Sequence, residues 1–282
     1  MAFTRAWEET DVSRDVKRIF TDARAALNLP YLPTLFKVLA NSPDYLKVAW
    51  SDLAPVVRSK EFHAASLALE EYIYSVVVAA GWRFNEQRRE LQDQRFSTED
   101  IIFIADALAI FAHGLPQVLL LARLLQAGYS GGQRGRISHT KQSSMIAQAL
   151  KIHVPNEREA GLRSWLIYND IKKTTGSRAV MSVLRFISPY PGYLASVWMD
   201  WKKILKNPSA QRAKDEVSRR SAGLITGLPV GDHRGGDKVR PEQWREIEET
   251  IDGFVRMLPM FALVTAAWRK SFAPRPRDVR AA

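Results

Sequence analysis

Five histidines, at 63, 113, 139, 153 and 233, and no cysteine make up the neutral-pH chemistry of this 282-residue chain. Without cysteine there are no disulfides, thiolate nucleophiles or thiolate-bound zinc. The histidines stand at no metal-ligand spacing, so no metal site is expected. No G-x-G-x-x-G, Walker lysine loop, H-E-x-x-H or G-x-S-x-G occurs, and no cofactor is expected either. What remains is acid–base work by single groups and the recognition of anions. His113, in Phe111-Ala112-His113-Gly114-Leu115-Pro116, is the candidate base, because imidazole titrates near neutral pH and the glycine and proline predict a helix break there. Lys37 and Arg185 are the candidate carboxylate holders, able to grip one anion from either side. The plainer alternative has His113 capping a helix end and both cations facing solvent. On sequence both readings stay open.

The elements that must position these groups occur twice. Residues 22–52 and 170–200 align without a gap at an offset of 148. Asp22, Pro43, Tyr45, Leu46, Trp50 and Asp52 recur as Asp170, Pro191, Tyr193, Leu194, Trp198 and Asp200. Lys37 recurs as Arg185 and Thr34 as Ser182. A second block repeats at an offset of 143, where Phe111, Leu115 and Pro116 answer Phe254, Leu258 and Pro259. Two similar helical units packed face to face, with a site at their seam, are the natural outcome. Residues kept in both copies read as scaffold, including the four aspartates as surface or helix-end acids. Chemistry is expected where the copies differ.

Helical periodicity dominates and nothing alternates as a strand. Val16, Phe20, Ala23 and Leu27 share one helix face, which Pro30 closes. Pro33 to Ala40 predicts a short helix, and Ser42-Pro43 the start of a longer one. Ser97-Thr98-Glu99-Asp100 signals another start. The break at His113–Pro116 predicts two helices there, the second opening at Pro116. Asn156 is expected to open a helix running to about Thr174, followed by Met181–Ile187 and a long helix from Pro191. The predicted organisation is helical repeat 1 over 1–129, a Gly-rich basic linker over 130–155, repeat 2 over 156–272 and a disordered tail over 273–282.

The net charge of +11 sits in the second half: residues 1–148 hold 17 Lys/Arg against 16 Asp/Glu, so nearly all the excess lies beyond them. A basic half can attract anions, but a solvated basic face explains it as well. Nucleic acid is not expected, since no aromatic interleaves the basic linker for stacking. Ile101–Ala122 is long enough to span a bilayer, with Asp106 its only formal charge. Its counterpart, residues 244–265, carries six charged side chains, so no transmembrane segment is expected. The N-terminus lacks the apolar stretch of a signal peptide, which points to the cytoplasm.

The chain resembles the group I 2-haloacid dehalogenases. The resemblance rests on Val38-Leu39-Ala40-Asn41-Ser42-Pro43-Asp44-Tyr45-Leu46 with Trp50, on Phe111 to Pro116 leading into Leu119-Leu120-Leu121, on Ser182 to Leu194, and on Gly227-Leu228-Pro229. It implies an all-α fold of two similar repeats, a homodimer, no cofactor, and a small organic (2-halo) acid in the seam. In that family an aspartate activates water for direct attack on the halogen-bearing carbon, and an asparagine positions the water. Here those positions fall on Val183 and Leu115, which can neither accept a proton nor hydrogen-bond water. The same alignment implies a pocket lined by Tyr31, Thr34, Leu35, Leu115, Ser182 and Val183. Three functions follow as expectations: hydrolytic dehalogenation if a replacement base reaches the seam, non-catalytic binding of a small acid, or interaction through the basic surface.

Overall fold

A computed structural model describes residues 6–128, 150–177, 179–228 and 241–273. Every regular element among them is helical. The first half runs α1 (Arg14–Leu27), α2 (Thr34–Leu39), α3 (Pro43–Val57), α4 (Lys60–Ala79), α5 (Gln87–Asp93) and α6 (Thr98–Gln126). The second runs α7 (Leu162–Thr175), α8 (Ser182–Phe186), α9 (Pro191–Leu205), α10 (Pro208–Ile225) and α11 (Pro241–Lys270). The starts of α7, α8, α9 and α10 follow those of α1 to α4 at the offset of 148, and α11 follows α6 at 143.

Local chemistry sets these boundaries. Ser13 caps α1 by accepting from the Val16 amide, and the helix stops at Asn28, whose φ of 52° is left-handed. α7 stops the same way at Gly176, φ 68°. Pro43 and Pro191 open α3 and α9 where their missing N–H costs nothing. In each half the long helix is tied back by one bond: Trp50 Nε1 donates to Asp22 at 2.8 Å, and Trp198 Nε1 to Asp170 at 2.7 Å. Each aspartate also holds a cation, Arg58 or Lys202.

α6 and α11 form the central pair, with α4 and α10 laid against both. Both central helices are long and apolar enough to cross a membrane, yet most of each apolar stretch is buried against the rest of the bundle.

Three expectations need correcting. α6 does not break at Gly114-Leu115-Pro116; it runs unbroken with Pro116 inside it. An interior proline costs about 3 kcal/mol, but nearly every residue from Phe111 to Leu125 is buried, and that packing outweighs the lost bond. Asn156 caps only a single 3-10 turn, Glu157–Glu159, and α7 starts later, after Gly161. Asp200 is no surface acid: it is 3% exposed and accepts from the Asn85 backbone and side-chain amides and from Lys203. Most of the expected linker and all but the first residue of the expected tail lie outside the described residues, as do His139, His233 and Pro229.

Candidate functional site

The two short helices meet end to end at the seam. Thr34 opens α2 and Ser182 opens α8, and their hydroxyl oxygens lie 3.1 Å apart. Around this pair the structure brings together Tyr31, Leu35, Leu115 and Val183, all lining one cavity of about 20 Å³. Phe111 and Phe254, equivalent positions of the two halves, wall it from opposite sides. Phe111 stacks obliquely on Tyr31 at 4.5 Å and meets Phe186 at 5.6 Å. A void of this size holds about one water molecule.

Val183 and Leu115 are 2% and 5% exposed. Among the described residues, no carboxylate or imidazole lines the cavity. Burial pushes the Tyr31 phenol above its ordinary value, so that hydroxyl stays protonated.

His113 lies elsewhere. Its Nδ1 is 2.7 Å from Glu70 Oε2, and Glu70 Oε1 also accepts from Arg269 at 3.3 Å. Burial works against the Glu70 carboxylate, but the bonds to His113 and Arg269 hold it below its usual range. The reason His113 misses the cavity is rotational. With α6 continuous, Phe111, Leu115 and Val118 share one face, and His113 sits about 200° around the helix from Leu115. Helical periodicity carried through Pro116 would have shown this. The His113 cap of the plainer alternative is not found either, since His113 lies mid-helix.

Lys37 and Arg185 do not face solvent: they are 5% and 1% exposed. Neither lines the cavity. Each sits one turn beyond its hydroxyl residue, and both reach the same carboxylate, that of Glu8. Lys37 Nζ meets Glu8 Oε2 at 2.5 Å, and Arg185 Nη1 meets Oε1 at 3.4 Å. The Trp7 amide donates to the Lys37 carbonyl at 2.9 Å and its indole N–H to Asn41 Oδ1 at 2.8 Å, fastening the segment. Burial, then the Arg185 charge, lowers the Lys37 pKa, and Glu8 opposes both. Arg185 Nη1 also donates to the Pro155 carbonyl at 3.4 Å, while its Nε and Nη2 have no partner among the described residues. Glu8 went unnoticed in the sequence because nothing local ties an N-terminal acid to cations 29 and 177 residues away. Among the described residues, no three His, Cys, Asp or Glu side chains gather as a metal site.

The family model for "Halocarboxylic acid dehydrogenase DehI" matches residues 30–184, just over half of the chain. The chain belongs to this family. The matched stretch contains every cavity-lining residue named above except Phe254. An (R)-2-haloacid dehalogenase from Rhizobium sp. (strain NHG3) is 20% identical over 239 residues, covering 83% of this chain and 92% of that one. A solved complex of D-2-haloacid dehalogenase with L-LA superposes with a TM-score of 0.84 at 21% identity, over 95% of this chain and 96% of that one. A mutant of D-2-haloacid dehalogenase in complex with D-2-CPA gives a TM-score of 0.83 at 20% identity, with the same coverage. These likenesses carry the all-helical fold.

Proposed function

We infer that this chain is a small-organic-acid-binding member of its family that has given up hydrolytic dehalogenation at the seam. What carries the reading is the pairing of Val183 and Leu115 in a cavity where hydroxyls are the only side-chain N–H or O–H groups among the described lining residues. A hydroxyl held at its ordinary or raised pKa cannot take the proton of an attacking water. The His113 imidazole is bonded to Glu70, and the Glu8 carboxylate is paired with Lys37 and Arg185. Removing a positioned general base costs ~10²–10⁴ in rate. The acid class follows from the relatives, whose names and titles speak of 2-haloacids.

The test is free chloride after incubation with each enantiomer of 2-chloropropionate. The wild-type protein is expected to release none above buffer, and a Val183→Asp, Leu115→Asn double variant to release some. Wild-type release that survives purification to constant specific activity would overturn the base-free reading.

A homodimer belongs to the same proposal. Leu162, Trp165 and Leu166 form an apolar stripe on α7, 74%, 50% and 56% exposed, of the kind a second copy covers. Sedimentation should show a dimer that Trp165→Glu converts to monomer; a wild-type monomer ends this part.

A further inference from the structure

The two halves differ beside the seam. In the first, Leu27, Leu29 and Tyr31 fill the space between the end of α1 and α6, all nearly fully buried. Their counterparts at the offset of 148 are Thr175, Ser177 and Ala179. Three large apolar side chains have become three small ones, and a cleft of about 760 Å³ opens where repeat 1 is packed solid. That is the size of a pocket for an organic molecule.

Its lining has two characters. Leu205 and, from α11, Phe254, Met257, Met260 and Phe261 make an apolar floor. Lys202, Lys206, Lys214 and Arg256 stand around it, with Glu249 the only acid among the described lining residues. Lys202 is engaged by Asp170 at 2.9 Å. Lys206, Lys214 and Arg256 make no ion pair among the described residues, so positive charge is in excess along the described lining. Phe254 lines both spaces.

The geometry points to this cleft as the binding site for an amphipathic carboxylate, its head group on Lys206, Lys214 and Arg256 and its aliphatic or aryl body on the α11 floor. A free inorganic anion would leave the floor wet, and a neutral hydrocarbon would leave the cations unanswered. The proposal rests on the small-acid reading above and extends it: the acid lies in the cleft that shares Phe254 with the seam cavity, and is larger than a haloacid.

Calorimetric titration of the full chain with octanoate, below its micelle concentration, tests this, with 1-octanol and acetate as comparators. Octanoate is expected to bind one to one, octanol and acetate at least ten-fold more weakly. Lys214→Glu with Arg256→Glu should weaken octanoate at least ten-fold. Ser177→Leu, which restores the residue type of Leu29, should fill the cleft and abolish binding while the circular dichroism and melting temperature stay those of a folded protein. A flat wild-type isotherm overturns the proposal, as does octanoate affinity unchanged by both the charge reversal and the leucine. Should the leucine variant fail to fold, the charge-reversed one decides alone. Chloride release by the wild type would overturn the base-free seam and leave this isotherm standing; a flat isotherm without chloride overturns the cleft only.

Discussion

Thr34 and Ser182 touch hydroxyl to hydroxyl at 3.1 Å, although 148 residues separate them. They are equivalent positions at the offset of 148, and their contact joins the N-terminal ends of α2 and α8. Both are buried, at 2% and 5% exposure, and each hydroxyl is the other's hydrogen-bond partner. Leaving one buried hydroxyl unpaired costs about 1–3 kcal/mol, whereas removing both together is nearly neutral. Thr34→Val and Ser182→Ala should therefore each lower the urea midpoint, and the double variant should lose less than the sum. Strict additivity would mean that the two hydroxyls do not depend on each other.

The carboxylate of Glu8 is the only acid bonded to Lys37 and Arg185 among the described residues. Glu8→Ala strands two buried cations side by side, and breaking such a pair costs on the order of 3 kcal/mol. Lys37→Met should cost less, because Glu8 keeps Arg185 and a charge that burial and Arg185 both disfavour is gone. Thermal melts rank the two: a Lys37→Met loss equal to or larger than the Glu8→Ala loss contradicts this account.

Gly114 admits no side chain. A Cβ there would stand 2.6 Å from Tyr31 Oη and 3.0 Å from a Leu29 methyl. Tyr31 cannot swing away, since its ring is packed on Phe111. Gly114→Ala is expected to destabilise by about 1–3 kcal/mol through overpacking, and Tyr31→Phe in the same chain should recover part of that loss. No recovery would place the strain on Leu29 alone.

How far the sequence could be read follows from what each feature depends on. Helix starts at Pro43 and Pro191 and the buried faces of α1 and α3 are local, so capping and periodicity reveal them. The six expected pocket residues, Tyr31, Thr34, Leu35, Leu115, Ser182 and Val183, line one space, and it is the family resemblance rather than any local pattern that makes them legible. Continuity of α6 was hidden, because a proline's local cost is visible in sequence and the tertiary packing that offsets it is not. That single misreading also misplaced His113. The Glu8 clamp is long-range and has no local signature. The cleft is present in the sequence only as a difference between the copies, Leu27, Leu29 and Tyr31 against Thr175, Ser177 and Ala179, and no local pattern marks that difference as a space.

Acid should uncover the His113–Glu70–Arg269 cluster. Burial works against the Glu70 carboxylate, but its bonds to His113 and Arg269 hold the carboxyl below its ordinary value of 4.5. A depressed folded-state pKa means that the unfolded chain takes up the proton first as pH falls, so the contribution is fully present above 4.5 and fades below it. Glu70→Gln forgoes that contribution at every pH. Urea midpoints of wild type and variant should accordingly differ most near neutrality and converge as the pH drops through and below 4.5. Asp22 and Asp170 also titrate below their usual range, held down by their Trp and cation partners, so both proteins weaken in acid. It is the closing gap between them that reports Glu70. A gap that stays constant or widens on acidification would mean that the carboxylate gains nothing from His113 and Arg269.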